Sequence, residues 1–215
     1  RQEYLDLVIS GFSKTITPGM SELEVALALE VIMRELGAER LSFETIVAFG
    51  SNAAKPHAVP TKRILRDGEI VLIDMGGVFQ GYCSDMTRTF IVGDKVDDIF
   101  LQRLRVVRKA QLAAAQVIRA GAVCREVDQV ARQIITSSGY GNFFGHGLGH
   151  GVGLSVHEAP NLGTRSRKKL QAGMVVTIEP GIYLPDWGGI RLENMAVVRE
   201  EGCELLNEDM TGLDF

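Results

Sequence analysis

The strongest constraint on the fold is that this chain repeats itself. Shifted by 102 positions, Gly19, Glu24, Val25, Ile32 and Gly37 fall on Gly121, Glu126, Val127, Ile134 and Gly139. Shifted by 105, the segment LRDGEIVLIDMG (65–76) falls on LQAGMVVTIEPG (170–181), and Asp74 meets Glu179. Shifted by 108, Gly81 meets Gly189 and Asp85 meets Glu193. Small insertions between segments account for the drift. Repetition on this scale decides the architecture before any single element does. It predicts one α+β domain of pseudo-twofold design. Two αα-plus-antiparallel-sheet halves face one another, and each delivers two carboxylates to a common centre.

The local signals agree with that division. The first half opens with a helix over residues 3–15. A Pro18-Gly19 turn follows, then a helix over 21–36 with Ser21 as N-cap and Glu22 and Glu24 in its first turn. Strands rich in Val, Ile, Phe and Thr are expected near 42–48, 69–75 and 86–92. Helices at 98–119 and 124–137 and strands near 152–157, 174–180 and 190–199 repeat the order. The stretch 103–120 reads as an amphipathic core helix. The basic cluster Arg165, Arg167, Lys168 and Lys169 reads as a solvated loop. Trp187, in a Gly-rich turn, either lines a pocket or covers an edge.

The chemistry lies in the repeated carboxylates. Asp74 ends the apolar run IVLID, where an ionised group is costly unless paired or bound to a metal. Gly76, Gly77 and Gly81 suggest a hairpin that brings Asp85 beside it. Glu179 and Glu193 occupy the matching places in VVTIEP and GIRLEN. One such residue alone reads as a salt-bridged or strand-end carboxylate; four at matched places invite a shared cation. The chain has four histidines, His57, His146, His150 and His157, and three lie in GHGLGHGVGLSVHE (145–158). The interleaved glycines leave the backbone free to approach a ligand closely. Four carboxylates balance two divalent cations, and a neutral imidazole completes the shell without changing the charge. Oxygen-rich ligation with one nitrogen and no thiolate favours Mn²⁺, Co²⁺ or Fe²⁺ over a structural zinc site. Two such ions ~3.5–4 Å apart can stabilise both sides of a hydrolytic transition state.

At this point the sequence becomes specific. SNAAKPHAVPTKRILRDGEIVLIDMGGVFQGYCSDMTRTFIVG, GHGLGHGVGLSVHEAP, VVTIEPGIY and GIRLEN resemble the pita-bread metallopeptidases, above all prolidase (Xaa-Pro dipeptidase) and Xaa-Pro aminopeptidase. The resemblance spans nearly the whole chain. It implies Asp74, Asp85, His150, Glu179 and Glu193 as ligands of two divalent metals, with Asp85 and Glu193 bridging them and a bridging hydroxide as nucleophile. Mn²⁺ or Co²⁺ is expected, with Fe²⁺ and Zn²⁺ as alternatives. It implies Glu179 as proton shuttle to the leaving nitrogen. His57 and His157 would polarise the scissile carbonyl, and His146 would face the substrate or support the site from behind. Arg191 would steady a ligand carboxylate such as Asp74. The substrate would be a short peptide with proline second. Methionine aminopeptidases share the fold and the five ligands. His146-Gly-Leu-Gly, Arg191 and the short Glu179–Glu193 spacing point instead to the proline-directed branch. Members of that branch carry a further N-terminal domain, so residues 1–215 are expected to be the catalytic domain of a longer, dimeric protein. A catalytically silent peptide-binding domain and metal-free, creatinase-like C–N hydrolysis are the other readings; the intact ligand set speaks against both.

Charge and composition exclude other classes. A net charge of −4 and a pI near 5.6 argue against nucleic acid or an anionic membrane as partner. No apolar run approaches the ~20 residues that span a bilayer, and RQEYLDLVIS has no signal-peptide core. Cys83, Cys124 and Cys203 form no CxxC pair. A reducing, cytoplasmic setting is expected rather than a disulfide framework.

Overall fold

The computed structural model describes residues 11–93 and 97–207. Most of the helix expected over 3–15 therefore lies outside the described residues. Helix α1 (Glu22–Glu35) starts where the capping signal places it. The Ser21 hydroxyl accepts from the Glu24 amide, and the Glu24 carboxylate accepts from the Ser21 amide at 2.7 Å. Strands β1 (Arg40–Leu41), β2 (Ile46–Phe49), β3 (Glu69–Met75), β4 (Gly77–Phe79), β5 (Tyr82–Cys83) and β6 (Met86–Val92) complete the first half. Helices α2 (Asp98–Val117) and α3 (Cys124–Ser137) open the second. Strands β7 (Gly149–Gly151), β8 (Glu158–Leu162), β9 (Val175–Ile178), β10 (Gly181–Leu184), β11 (Gly188–Arg191), β12 (Asn194–Arg199) and β13 (Gly202–Leu205) follow.

Pairing shows the repeat directly. The first half builds an antiparallel sheet in the order β2-β3-β6, and the second builds β7-β9-β12 in the same sense, with β8 and β13 added at its edges. Even the backbone exceptions recur: Gly19 and Gly121, Gly37 and Gly139, and Gly68 and Gly173 all hold positive φ. Between the paired strands each half inserts a hairpin. In the first, β4 and β5 turn through Gln80 and Gly81, both at positive φ as a tight two-residue turn demands. In the second, β10 and β11 form the longer insert.

Strand alternation sorts the side chains. Val47, Phe49, Val71, Ile73 and Met75 turn outward onto Val25, Leu29 and Met33, which recur every fourth residue along α1. In the second half α2 presents Phe100, Leu104 and Val107, and α3 presents Val127, Ala131 and Ile135. They join one cluster with Val176, Ile178, Ala196 and Val198. Ala48 and Leu72 of the first sheet belong to that same cluster, so a single core joins the halves. Each of its large aliphatic side chains contributes about 1.5–3 kcal/mol on burial. Among the described residues no helix is long and apolar enough to cross a membrane. All three cysteines are free thiols.

Three expectations change. Residues 152–157 are not a strand: Gly153 and Ser155 fold into a tight turn, with the Ser155 amide bound to the Glu158 carboxylate at 2.8 Å. The expected strand 190–199 is two, because the chain leaves β10 at Arg191 and joins β9 at Asn194. Of residues 42–48 only 46–48 are strand, in β2, and 42–45 form the bend between β1 and β2. Trp187 takes the edge-covering role: the Arg103 guanidinium lies over its ring at 4.1 Å, and it packs against the main core. Arg165, Arg167, Lys168 and Lys169 are exposed.

Candidate metal centre

The strand ends of both halves converge on one cavity of roughly 530 Å³. Asp74, Asp85, His150, Glu179 and Glu193 line it, and so do His57, His146, His157 and Arg191. Asp74 projects from β3, opposite Thr87 on β6. Asp85 lies just beyond the β4–β5 hairpin, beside the first residue of β6. Glu179 follows β9 at the point where Pro180 ends the ladder. Glu193 occupies the gap where the chain changes partner between β11 and β12, so Arg191 and Glu193 do not share a strand. Asp85, His150 and Glu193 bring one ligand atom each within 4.8 Å of one another. His150 Nε2 lies 3.3 Å from Glu179 Oε1 and 3.6 Å from Asp85 Oδ2.

Around these groups the polar contacts are organised. The His150 Nδ1–H donates to the Gly151 carbonyl at 3.0 Å, which leaves Nε2 facing the carboxylates. A carbonyl behind the distal nitrogen is the usual support of a metal-ligating imidazole. Thr177 accepts from the His150 amide and donates to Glu179 Oε1 at 3.1 Å. Thr87, with no exposed surface, donates to Glu193 Oε2 at 2.7 Å and accepts from Arg191 Nε at 3.0 Å. Arg191 Nη2 donates to Asp74 Oδ2 at 2.6 Å, and its Nη1 donates to the Tyr183 hydroxyl at 2.8 Å. Tyr183 donates onward to His146 Nε2 at 2.8 Å, and His146 Nδ1–H donates to the Gly147 carbonyl. His146 thus joins a chain running through Tyr183 and Arg191 to Asp74. His57 and His157 are exposed at the cavity wall, and the His157 ring centroid lies 4.2 Å from that of His150. The turn at 152–157 and a register shift at His150/Gly151 allow both rings to face inward.

Gly147 and Gly149 line the cavity, and two glycines of the run also serve the packing of the sheet. A Cβ on Gly149 would meet the Thr177 carbonyl at 2.1 Å, and one on Gly151 would meet the Ala159 carbonyl at 2.5 Å. The close approach they permit is to β9 and β8. Tyr183, Thr87 and Thr177 were not among the residues singled out by sequence, because a hydroxyl inside a β-rich run reads as ordinary strand composition.

The electrostatics ask for a cation. Burial drives the Asp85 carboxyl well above its usual range, and Glu193, Asp74 and Glu179 push it further. Glu193 is raised in the same way, by burial first and then by Glu179 and Asp74. Burial also raises Asp74, against the pull of Arg191. Burial would raise Glu179 too, but the hydrogen bond and charge of His150, with His146 and Arg191, hold it below its usual value. His150 is raised despite its own burial because of Glu179. Burial pushes Tyr183 up to about 12. Among the residues lining this cavity, one arginine stands against six carboxylates, the repeated four and Glu44 and Glu158. Asp74 Oδ1 is buried with no hydrogen-bond partner, an orphan that a cation would satisfy. The oxygen-rich donor set with one imidazole fits divalent metal binding.

Known proteins are similar to this chain over most of its length. Residues 2–200 match metallopeptidase family M24. An uncharacterised peptidase of Bacillus subtilis is 44% identical over 185 residues, covering 86% of this chain and 52% of its own length. A Xaa-Pro dipeptidase of Pyrococcus furiosus is 40% identical over 209 residues, 96% of this chain and 59% of that protein. The crystal structure of an X-Pro aminopeptidase from Thermotoga maritima superimposes with a TM-score of 0.94 at 39% identity, over 97% of this chain and 59% of the other. The chain thus spans little more than half the length of the curated relatives it matches. The helix-and-sheet architecture is the pita-bread fold of these neighbours. By the extent of the family match and the identity it shares with these peptidases, the chain belongs to metallopeptidase family M24.

Proposed function

We propose that this chain is the catalytic domain of a Xaa-Pro peptidase that holds two divalent cations and hydrolyses the bond between an N-terminal residue and a following proline. The observation that carries this reading is the convergence of four carboxylates and the His150 imidazole, opposed by the single cation Arg191, on the floor of one cavity. Asp74, Asp85, His150, Glu179 and Glu193 would hold the metals. Asp85 and Glu193, one from each half and both beside His150, are the pair placed to be shared. Bound there, divalent cations would supply a nucleophile at neutral pH and Lewis-acid polarisation of the scissile carbonyl.

The remaining work falls to side chains. Glu179 stays ionised at neutral pH, so it can take the proton of the attacking water and pass it to the proline nitrogen. His57 and His157, exposed in the cavity, would donate to the carbonyl oxygen as charge builds there. Burial, and then the neighbouring His150, lower the pKa of His157, so it acts as a neutral donor. Arg191 fixes Asp74, and Tyr183 and His146 fix Arg191. Phe43, Ile46, Pro56, Ala58, Val59 and Pro60 form an apolar wall on the first-half side, suited to a pyrrolidine ring. The Xaa-Pro names of the relatives support the same substrate class. Mn²⁺ or Co²⁺ is the metal this donor set favours.

The test is a matched assay on metal-stripped protein reloaded with Mn²⁺ or Co²⁺. Xaa-Pro dipeptides, longer Xaa-Pro peptides and Met-Ala peptides are compared at equal concentration. Turnover of a Xaa-Pro substrate that disappears with chelator is expected. Cleavage of Met-Ala alone would move the chain to the methionine aminopeptidases. No hydrolysis of any of them by fully loaded protein would leave a binding domain.

A further inference from the structure

Glu22 is the first residue of α1, and its sequence context explains it as an acid in a helix's first turn. The structure gives it different work. It has no exposed surface, and its carboxylate points away from its own helix. Oε1 accepts from the Phe49 amide at 2.8 Å and from Asn52 Nδ2 at 3.0 Å. Oε2 accepts from the Thr61 amide at 2.9 Å and the Thr61 hydroxyl at 2.6 Å. One carboxylate therefore grips both ends of the segment 49–61. Two backbone bonds reinforce the second anchor, from the Leu23 amide to the Thr61 carbonyl and from the Glu22 amide to the Arg63 carbonyl.

Beyond Phe49 that segment has no sheet partner, yet it builds much of the first half's side of the cavity wall. After a 3-10 turn at Gly50–Ala54 it runs through Pro56, His57, Ala58, Val59 and Pro60, all of which line the cavity. Its inner face is held by the Arg191 Nη1 donation to the Pro56 carbonyl at 3.2 Å and by the burial of Ala53 and Ala58 in the main core, while Glu22 ties its two ends. A buried carboxylate is expensive unless its lone pairs are filled; here four donors and the α1 N-terminus fill them. Glutamine in its place would turn an amide group toward donors and leave at least one of them without an acceptor.

We propose that Glu22 is a positioning residue: by tying Phe49 and Asn52 to Thr61 it fixes the stretch that sets the His57 imidazole against the cavity. The proposal rests on the reading of His57 as a substrate-facing group. A displacement of about 1 Å in such a group costs on the order of 10²-fold in rate.

The experiment is a double-mutant cycle on metal-loaded protein, with Glu22→Gln, His57→Ala and the pair, reading kcat, KM, bound metal and hydrogen exchange of the non-proline amides within 55–60, those of Lys55, residue 57, Ala58 and Val59. Glu22→Gln is expected to keep its metal, to speed exchange at 55–60, and to lower kcat/KM for a Xaa-Pro peptide by about 10–100-fold. Added to His57→Ala it should cost little more, since residues acting through one another are not additive. A full multiplicative loss in the His57→Ala background would overturn the proposal and leave Glu22 a plain fold staple; so would parent-like kinetics of Glu22→Gln. If His57→Ala itself behaves as the parent, the reading of His57 falls. Exchange at 55–60 then decides alone whether Glu22 holds the segment, and unchanged exchange would sink the clamp. Should Glu22→Gln fail to fold, Thr61→Val enters the same cycle, because it removes only the hydroxyl donor from the clamp.

Discussion

The sheet β2-β3-β6 of the first half brings Asp74 to the cavity floor, and Asp85 arrives at the start of β6. The second half matches both with Glu179 after β9 and Glu193 before β12, but its β7 adds an imidazole and its β10–β11 hairpin adds the Tyr183–Arg191 prop. The registers locate the difference. Ile46 pairs with Asp74, and the Leu148 carbonyl accepts from the Glu179 amide. Two residues on from each partner, Ala48 stands where His150 stands. Ala48 lies opposite Leu72 and is buried in the common core, whereas His150 bonds to Thr177. Loop support differs likewise. The first half uses Glu22 of α1; the second uses Asp128 and Arg132 of α3. Asp128 accepts from the Leu148 amide, and Arg132 donates to the carbonyls of Phe144 and His146. The repeat dictates where negative charge gathers. The departures from it decide which ligand is neutral and which side of the site is braced.

The largest expected effect tests the symmetric part. Asp85→Asn and Glu193→Gln should behave alike, each losing more than about 100-fold in metal affinity, beyond the usual cost of disturbing an outer partner. Calorimetric titration of stripped protein measures both. A tolerated change at one position but not the other would mean that the halves do not share the centre equally. The asymmetric part follows. His150→Ala should weaken metal binding by roughly 10–100-fold. His57→Ala and His157→Ala should keep their metal and lower kcat by about 10²–10³-fold. Loss of metal from His157→Ala but not from His150→Ala would reverse their assignment.

A smaller effect is read from pH. Folded Asp85 and Glu193 titrate above their usual values, so the folded state holds more protons than the unfolded one from about pH 4 upward. The metal-free protein should therefore lose stability as pH rises through that window, and the raised His150 acts in the same direction. Glu179, whose pKa is lowered, contributes stability that is lost only as pH falls below the ordinary carboxylate value. A cation takes the place of the protons, so metal should bind more tightly and stabilise more as pH rises. Thermal melts with and without chelator between about pH 5 and pH 8 should diverge steadily; parallel curves would remove the shared-charge account. The smallest effect belongs to the prop that only the second half has. Tyr183→Phe leaves His146 Nε2 without its donor and Arg191 Nη1 with the Pro56 carbonyl alone, and should cost about 1–3 kcal/mol in a urea titration, with metal content unchanged.

Sequence revealed what is local or repeated. Strand β6 and helix α3 run over the residues expected, because turn signals bound the one and the positive-φ glycines Gly121 and Gly139 flank the other. Asp74 was legible as an ionisable group ending an apolar run, and the four carboxylates together because they recur at matched places in the two halves. What escaped depends on partners far along the chain. The break at Leu192 and Glu193 exists because β11 and β12 pair with different strands, which no local pattern records. Glu22 looked fully explained by helix capping, and its true partners begin 27 residues away. The glycines of 145–153 were visible, but what they make room for was not.

The stretch from Gly68 to Asp74 has the same length as that from Gly173 to Glu179, a positive-φ turn leading each time into a strand that ends on the ligand. Along a strand, faces alternate residue by residue. Deleting one residue from β3 would send Asp74 toward α1 and bring an aliphatic side chain into the cavity; deleting two would restore the face and only shorten the reach. The site is thus governed by parity as much as by distance, and in both halves the count runs from a glycine.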